Sequence, residues 1–463
     1  MIKPQDSTAA GLARTYFWIA GLVVVAVALV NPPFLVADEP NHFFRAVQIS
    51  HGGLIGIKFP NGWAGGWLPQ PVLHFGWAFG NLPFHPAARI DVARIASVFQ
   101  DGWHGVLKPA SFPNTVIYPP QFYFPGAVAL YATRHLHLHL VQCFYIGRIF
   151  SGVSCVAASA MALRLCAPQA RPWLLFCLCL PEVMGLYASF SQDGPFIAAA
   201  VLACALLTRC TGPYGTWRAL EMGGAVLLLA LFASSKPPYL SVLFLPLVLV
   251  GREHFKITAF MLLVALAAVL AWCFLGMHPL QTQTRPGDIS PARQLHNMLV
   301  HPGIVPTVLY NTFIRGGWWL AATSIATIGW VDAGMPRWFY TVIFVLAAVL
   351  TGLYGFLFLR QWRAQRAFRL LLLGLLIVMA GAGATLSTYL TWDEVGRNSA
   401  WGVLGRYFTP LLVCLTAGAA WAGQGWIRER VFPIFERVLL WSVLPGCGIV
   451  YLCVLFLRFW WPA

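Results

Sequence analysis

The sequence predicts an all-α polytopic membrane protein, and three observations predict it. Of 463 residues, 59% are hydrophobic and 10% charged, against about 25% charged in an ordinary soluble domain. The apolar residues gather in runs near the roughly 20-residue length that crosses a bilayer. The connections alternate between short basic turns and long segments rich in Gly, Pro and Trp, the sidedness expected of a multi-spanning chain. The net charge of +15 would suggest nucleic acid in a soluble protein. Here it fits cytoplasmic turns and lipid phosphates, and no nucleic-acid partner is expected.

Taken in order, residues 16–31 form the first span, with Lys3 and Arg14 before it placing the N-terminus in the cytoplasm. The run resembles a signal peptide, but Leu35-Val36-Ala37 is a mediocre cleavage site, so the span is read as uncleaved. Residues 32–141 form a large external loop with interfacial helices, where Trp63, Trp67, Trp77 and Trp103 suit the headgroup level. Within it, residues 122–136 end in Arg134-His135-Leu136-His137-Leu138-His139 and either span or lie flat. Lying flat puts the turns at Arg164/Arg171 and Arg252/Lys256 and the cluster Arg360-Arg363-Arg366-Arg369 all on the inner side, so the flat reading is preferred.

Spans then fill residues 142–276, a second external loop covers 277–338, and further spans fill 339–459; residues 316–331 are either a broken or re-entrant segment of that loop or a further span, which would reverse the later orientation. The expectation is one integral membrane domain over residues 1–463 with about 11 (10–13) transmembrane helices, counted by the length a bilayer requires. The cysteines lie in or beside apolar runs, which argues against a disulfide framework and against a thiolate zinc site.

This topology puts most acids, namely Asp38, Glu39, Asp91, Asp101, Asp193, Asp288, Asp332, Asp393 and Glu394, on the outer side or at its membrane edge. The inner turns are short, and no Walker or Rossmann glycine loop occurs. Energy must therefore come from an activated substrate or a gradient.

The most informative stretch is Ala37-Asp38-Glu39-Pro40-Asn41-His42-Phe43-Phe44-Arg45. Pro40 suits the first helical position, and the two carboxylates fall at the cap, where the helix dipole favours negative charge. Glu39, His42 and Arg45 recur at a spacing of three on one face, which predicts a short amphipathic helix with a polar side.

Four further clusters share its side of the membrane. Tyr118-Pro119-Pro120-Gln121 closes the loop, and Ser191-Gln192-Asp193 caps a later span. Lys236-Pro237-Pro238-Tyr239 offers a point charge to a phosphate or to the lipid interface. Gly405-Arg406-Tyr407-Phe408 offers a bidentate guanidinium and a phenol. Carboxylates and cations on one face suit transfer from a lipid-linked phosphosugar: a carboxylate takes the acceptor's proton and cations hold the phosphate leaving group. The alternating histidines His135, His137 and His139 spread around a helix and form no metal face; no cofactor is indicated, although carboxylates beside a phosphate allow a divalent metal.

These motifs, with Asn31-Pro32-Pro33-Phe34 and Gly329-Trp330-Val331-Asp332, resemble the bacterial membrane family known as domain of unknown function 2142, over nearly the whole chain. That family in turn resembles the GT-C glycosyltransferases, which take sugars from polyprenyl phosphates. The resemblance implies an acidic residue after the first span, a paired-proline motif before a surface helix, and an arginine opening the second span. Asp38 or Glu39, Pro119-Pro120 and Arg148 of Gly147-Arg148-Ile149-Phe150 occupy those places. The large soluble C-terminal domain of some GT-C enzymes has no counterpart, so acceptor recognition is expected in the external loops.

The resulting expectation is an inverting glycosyltransferase of the bacterial inner membrane, active on the periplasmic face. It would move a sugar from a polyprenyl-phosphate donor to an envelope glycan or lipid, with membrane lipids around it. Asp38 is the expected base, with Glu39 orienting it or sharing the role; His42, Arg45, Tyr118, Arg148, Asp193, Lys236, Tyr239, Arg406 and Tyr407 are the expected substrate contacts. The rival reading is a transporter or flippase of lipid-linked sugars, which predicts ionisable groups within the bilayer and an inverted repeat. Glu182, after Pro181, is the residue that would fit it. A non-enzymatic scaffold is the third reading.

Overall fold

The computed structural model describes residues 4–99, 102–210, 219–281, 288–423 and 431–461; Lys3 and Asp101 lie outside the described residues. Helix α1 (Pro4–Val30) leads through a tight turn into α2 (Glu39–Ser50), followed by β1 (Ile57–Lys58), β2 (Ala64–Pro69), α3 (Gln70–Trp77), α4 (Val92–Val98), β3 (Leu107–Ser111), α5 (Pro113–Val116) and α6 (Phe124–His135). Next come α7 (Leu140–Leu165), α8 (Arg171–Leu178), α9 (Pro181–Tyr187), α10 (Asp193–Cys210), α11 (Ala219–Ser235), a 3-10 segment (Pro237–Phe244), α12 (Leu245–Leu249) and α13 (Phe255–Trp272). After α14 (Pro291–Val300), α15 (Ile304–Tyr310) and α16 (Gly317–Ile325), the chain closes with α17 (Arg337–Arg360), α18 (Ala364–Trp392), α19 (Thr409–Ala422), α20 (Val431–Val438) and α21 (Leu444–Phe459).

Among the described residues six helical segments are long and apolar enough to cross a membrane: Thr8–Val30, Leu140–Leu165, Arg252–Leu280, Arg337–Arg360, Ala364–Trp392 and Val431–Phe459. The chain is a multi-pass membrane protein. Other apolar stretches are broken by proline. Pro181 separates α8 from α9, and Pro237 and Pro238 open a 3-10 segment where the sequence predicts a regular span, because neither ring nitrogen can donate to a helical ladder. Helix α6, with 12 residues, reaches about 18 Å against a hydrocarbon core of about 30 Å, too short to cross.

Helix ends meet at two poles. At one, Arg148 near the start of α7 donates to the Ala28 and Asn31 carbonyls at the end of α1, so the two helices run antiparallel. The start of α10 meets the end of α11 through Asp193 and Lys236. At the same pole the Trp460 indole donates to the Val30 carbonyl, and Arg458 pairs with Asp332 at 2.8 Å. At the other pole Arg171 faces Glu436, Arg209 pairs with Glu221, and Arg369 reaches the Leu249 and Val250 carbonyls. Each pole thus carries paired charges of both signs, with Asp38, Glu39, Asp193 and Asp332 gathered at the first.

The first loop departs from the expected helices in one respect. It contains a three-stranded antiparallel sheet in the order β1-β2-β3. Gly65, paired with Ser111, explains the close fit: a Cβ there would lie 1.8 Å from the Ala110 carbonyl oxygen. The sheet's inner residues Ala64, Leu68 and Ala110 are buried with α2 in a single core.

Helix α2 also differs from its prediction. Every residue from Glu39 to Ser50 except Asn41 is buried, so the polar side reads as internal wiring and not as a solvated face. The loop, the sheet and α6 surround the helix and leave its charged groups to find partners inside the protein.

Candidate functional site

The turn between α1 and α2 is fixed carbonyl by carbonyl. Arg148 donates through Nη1 to Ala28 and Asn31 and through Nη2 to Pro32, and the Trp330 indole donates to the Phe34 carbonyl at 3.0 Å. Arg148 also grips Glu39 in a fork, Nε to Oε1 at 2.8 Å and Nη2 to Oε2 at 2.5 Å. The Phe190 amide completes the carboxylate at 3.0 Å. Both side chains are fully buried, so Glu39 and Arg148 form a closed clasp joining α1, α2, α7 and the chain before α10.

Asp38, one residue earlier, faces the other way. Its backbone is left-handed, with φ of 68°, a region that Asp tolerates better than most residues. Its side chain makes no cap bond to its own helix. Instead Oδ2 accepts from Arg406 Nη2 at 2.6 Å, and Asn114 Nδ2 donates to Oδ1 at 3.4 Å. Asp38 is 29% exposed and Arg406 5%.

From Arg406 the charges alternate. Its Nη1 donates to the Ala37 carbonyl, and its Nε stands 3.9 Å from Asp193 Oδ2 without a hydrogen bond. Asp193 Oδ1 accepts from Lys236 Nζ at 2.5 Å. The Lys236 ammonium lies over the rings of Phe196 and Tyr407, each centroid 5.1 Å away, and the Tyr239 hydroxyl donates to the Tyr407 carbonyl at 2.8 Å. The result is a chain of four charges, Asp38, Arg406, Asp193 and Lys236, with zero net charge, assembled from the α2 entry, the α10 start, the α11 exit and the α19 entry.

The Arg406 turn is rigidly seated. Gly405 donates its amide to Thr323 Oγ1 at 2.8 Å, and Ser324 Oγ donates to the Gly405 carbonyl at 3.0 Å. A Cβ on Gly405 would lie 2.1 Å from both the Leu320 carbonyl oxygen and the Ser324 amide nitrogen. The close approach of α16 therefore requires glycine at this position.

His42 closes the side of the cluster towards the loop. Its Nδ1 shares a 2.8 Å hydrogen bond with the Tyr123 hydroxyl, and its ring stacks parallel to Tyr118 at 6.5 Å. Burial pushes the imidazole down to about 4, with the Asp193 and Asp38 carboxylates opposing the shift only in part. It is therefore neutral near pH 7 and offers a hydrogen bond without adding charge. Arg45 does not join the cluster: its guanidinium donates to Gln48 and to the Gly53, Leu54 and Tyr118 carbonyls. It fastens the loop over α2 and positions Tyr118 by its backbone.

Of the residues expected to form a site, Asp38, His42, Tyr118, Asp193, Lys236, Tyr239, Arg406 and Tyr407 gather here, while Glu39 and Arg148 form the adjoining clasp. The sequence reading did not anticipate Asn114 and Tyr123. Tyr123 follows the Tyr118-Pro119-Pro120 motif by a few residues, a usable signal. Asn114 is a lone amide in a long loop and carries none. Glu182, at the start of α9, lines a cavity of about 10 Å³ with Ala37, Thr327, Arg406 and Tyr451, room for roughly one water. Among the described residues no three His, Cys, Asp or Glu side chains gather to hold a metal ion.

A family model described as a predicted membrane protein, DUF2142, matches residues 22–415. No curated protein and no solved structure matches the chain.

Proposed function

The chain belongs to the DUF2142 family of predicted membrane proteins, and from that premise we propose a GT-C-like glycosyltransferase that uses a polyprenyl-phosphate sugar. The observation that carries this reading is the partly exposed Asp38 held 2.6 Å from the buried Arg406 in a cluster with a second cation, Lys236. A base and a phosphate clamp adjoin at the mouth of a membrane bundle.

In the proposed reaction an acceptor hydroxyl attacks the anomeric carbon. The bond from that carbon to the phosphate oxygen breaks, its electron pair leaves with the polyprenyl phosphate, and the hydroxyl proton passes to Asp38 and then to water. Single displacement inverts the anomeric centre. Arg406 and Lys236 stabilise the leaving charge where water is scarce. His42, Tyr118, Asp193, Tyr239 and Tyr407 shape the pocket, and the Glu39–Arg148 clasp fixes the height of Asp38.

The proposed topology has about eleven crossings, the broken α8–α9 pair and the segment from Pro237 to Leu249 included with shorter and longer helices. Basic turns face the cytoplasm with the N-terminus, and the cluster faces the periplasm of a bacterial inner membrane. The acceptor is an envelope glycan or lipid, met by the external loops.

The test is transfer of label from a panel of polyprenyl-phosphate sugars by purified, reconstituted protein, with Asp38→Ala beside it. Transfer by the wild type that the variant lacks is expected. Full activity in folded Asp38→Ala would overturn the base assignment.

One observation favours a second reading. Glu182 is a buried carboxylate at the start of a half-helix, as in transporters with discontinuous helices. Saturable translocation of lipid-linked sugar without turnover, lost in Glu182→Gln, would replace transfer by transport.

A further inference from the structure

We propose that Asp38 and a phosphate group compete for Arg406, so that the ion pair found here is the closed state of the site and phosphate binding uncovers the carboxylate. The inference deepens the glycosyl-transfer reading and rests on it only for the identity of the donor. The competition itself follows from the geometry.

Arg406 cannot follow a moving partner. Its neighbour Gly405 is pinned by Thr323 and Ser324, and its Nη1 is tied to the Ala37 carbonyl. Asp38 is the loosest member of the four-charge chain: 29% exposed, with no bond to its own helix and with one long hydrogen bond, 3.4 Å from Asn114, besides the ion pair. When the pair opens, the carboxylate is the part that moves.

Arg406 retains donor capacity that the fold does not use, since its buried Nε has no hydrogen-bond partner. A phosphate does not fit in the small cavity that Arg406 lines with Glu182. The cavity bounded by Ala37, Glu182, Thr327 and Tyr451 is only about 10 Å³, a single water by size. Of the two carboxylates beside the Arg406 guanidinium, Asp38 is the more exposed, 29% against 7% for Asp193, so an incoming anion meets Asp38 first. Carboxylate and phosphate oxygens are the same class of acceptor for a guanidinium, and phosphate brings more of them.

Charge arithmetic gives the exchange a direction. Two carboxylates and two cations sum to zero, so an incoming phosphodiester leaves the cluster one negative charge in excess. The acceptor's proton arriving on Asp38 offsets the charge that the leaving phosphate gains as its bond to the sugar breaks, so the excess does not grow during transfer. Lys236 and Asp193, both less exposed than Asp38, stay paired and hold the second cation in place.

The test measures binding of undecaprenyl phosphate to purified full-length wild type, Asp38→Asn and Arg406→Gln, with inorganic phosphate as competitor. A partly exposed ion pair is a weak lock, so Asp38→Asn should bind roughly tenfold more tightly than the wild type. Arg406→Gln should lose binding, and inorganic phosphate should compete in Asp38→Asn. Equal or weaker binding by folded Asp38→Asn, or no competition by inorganic phosphate, overturns the proposal.

A wild-type measurement covers the case in which a variant fails to fold. Carbodiimide labelling of Asp38 should rise when undecaprenyl phosphate is added, because the carboxylate leaves Arg406; protection overturns the exchange. The transfer reading fails separately. Tighter binding by Asp38→Asn without turnover of any polyprenyl-phosphate sugar removes the enzyme and keeps the exchange, whereas turnover with unchanged affinity removes the exchange and keeps the enzyme.

Discussion

Arg148 and Arg406 are both buried arginines that meet consecutive carboxylates, yet their surroundings differ. Arg148 spends its guanidinium on two Glu39 oxygens and three backbone carbonyls, and its partner also accepts an amide. Arg406 makes one strong contact, to a carboxylate that is 29% exposed, and its Nε has no hydrogen bond. A saturated pair holds a fold together, whereas the pair with Arg406 leaves a donor unused and one partner partly exposed. Burial and partner count, not residue type, separate Glu39 from Asp38.

The largest expected effect tests the saturated side. Glu39→Ala leaves Arg148 charged and buried without a counter-charge, which costs about 3–5 kcal/mol for a pair of this kind. The variant should give little monodisperse protein and a much lower unfolding midpoint. Asp38→Ala, which breaks a partly exposed pair, should cost about 1 kcal/mol or less. Equal losses in the two variants would break the comparison.

The next effect reverses the ranking, in activity. Asp38→Asn should lower kcat by roughly 10²- to 10⁴-fold, the usual contribution of a general base, with its unfolding midpoint near that of the wild type. Whatever fraction of Glu39→Gln folds should stay within about tenfold of wild-type kcat per folded molecule. If Glu39→Gln were folded and as inactive as Asp38→Asn, both carboxylates would belong to the chemistry.

The division between the two carboxylates was not legible in the sequence. Pro40, the adjacent acids and the preceding span single out the candidate site, because proline chemistry and hydropathy act locally. Which carboxylate is buried depends on Arg148, 109 residues away from Glu39, and on Arg406, 368 residues away from Asp38. The left-handed backbone at Asp38, which turns its side chain away from the helix, leaves no local signal either. The regular spacing of Glu39, His42 and Arg45 correctly predicts a helix, but the loop that wraps it converts an expected wet face into internal contacts. Conversely, Lys236 and Arg406 stand out from sequence because the expected topology puts them on the outer side, where cations run against the usual charge bias.

His42 sharpens the comparison through pH. Its pKa is about 4 in the folded protein because of burial, against 6.5 for the free side chain. The unfolded chain therefore binds more protons between these values, so the stability His42 contributes is present above pH 6.5 and is lost as pH falls towards 4. The loss is of order 3 kcal/mol at most. An unfolding midpoint that declines over this window in the wild type, and less steeply in His42→Gln, is the expected result. A parallel decline in the variant would assign the acid sensitivity to other groups.

The smallest effect isolates what holds Asp38 apart from Arg406. Asn114 donates to Asp38 Oδ1 at 3.4 Å and accepts from Asn41 at 2.7 Å, while Thr115 donates to the Asn41 carbonyl, so the amide ties the carboxylate to the first helical turn. Asn114→Ala removes one modest hydrogen bond worth about 1 kcal/mol, and stability should barely change. Because the bond orients the carboxylate without touching phosphate, kcat should fall by a few-fold, about what 1 kcal/mol supplies, with KM for the lipid donor unchanged. A rise in KM with kcat intact would instead mean that Asn114 meets the donor directly, placing the donor on the loop side of Asp38 and not between Asp38 and Arg406.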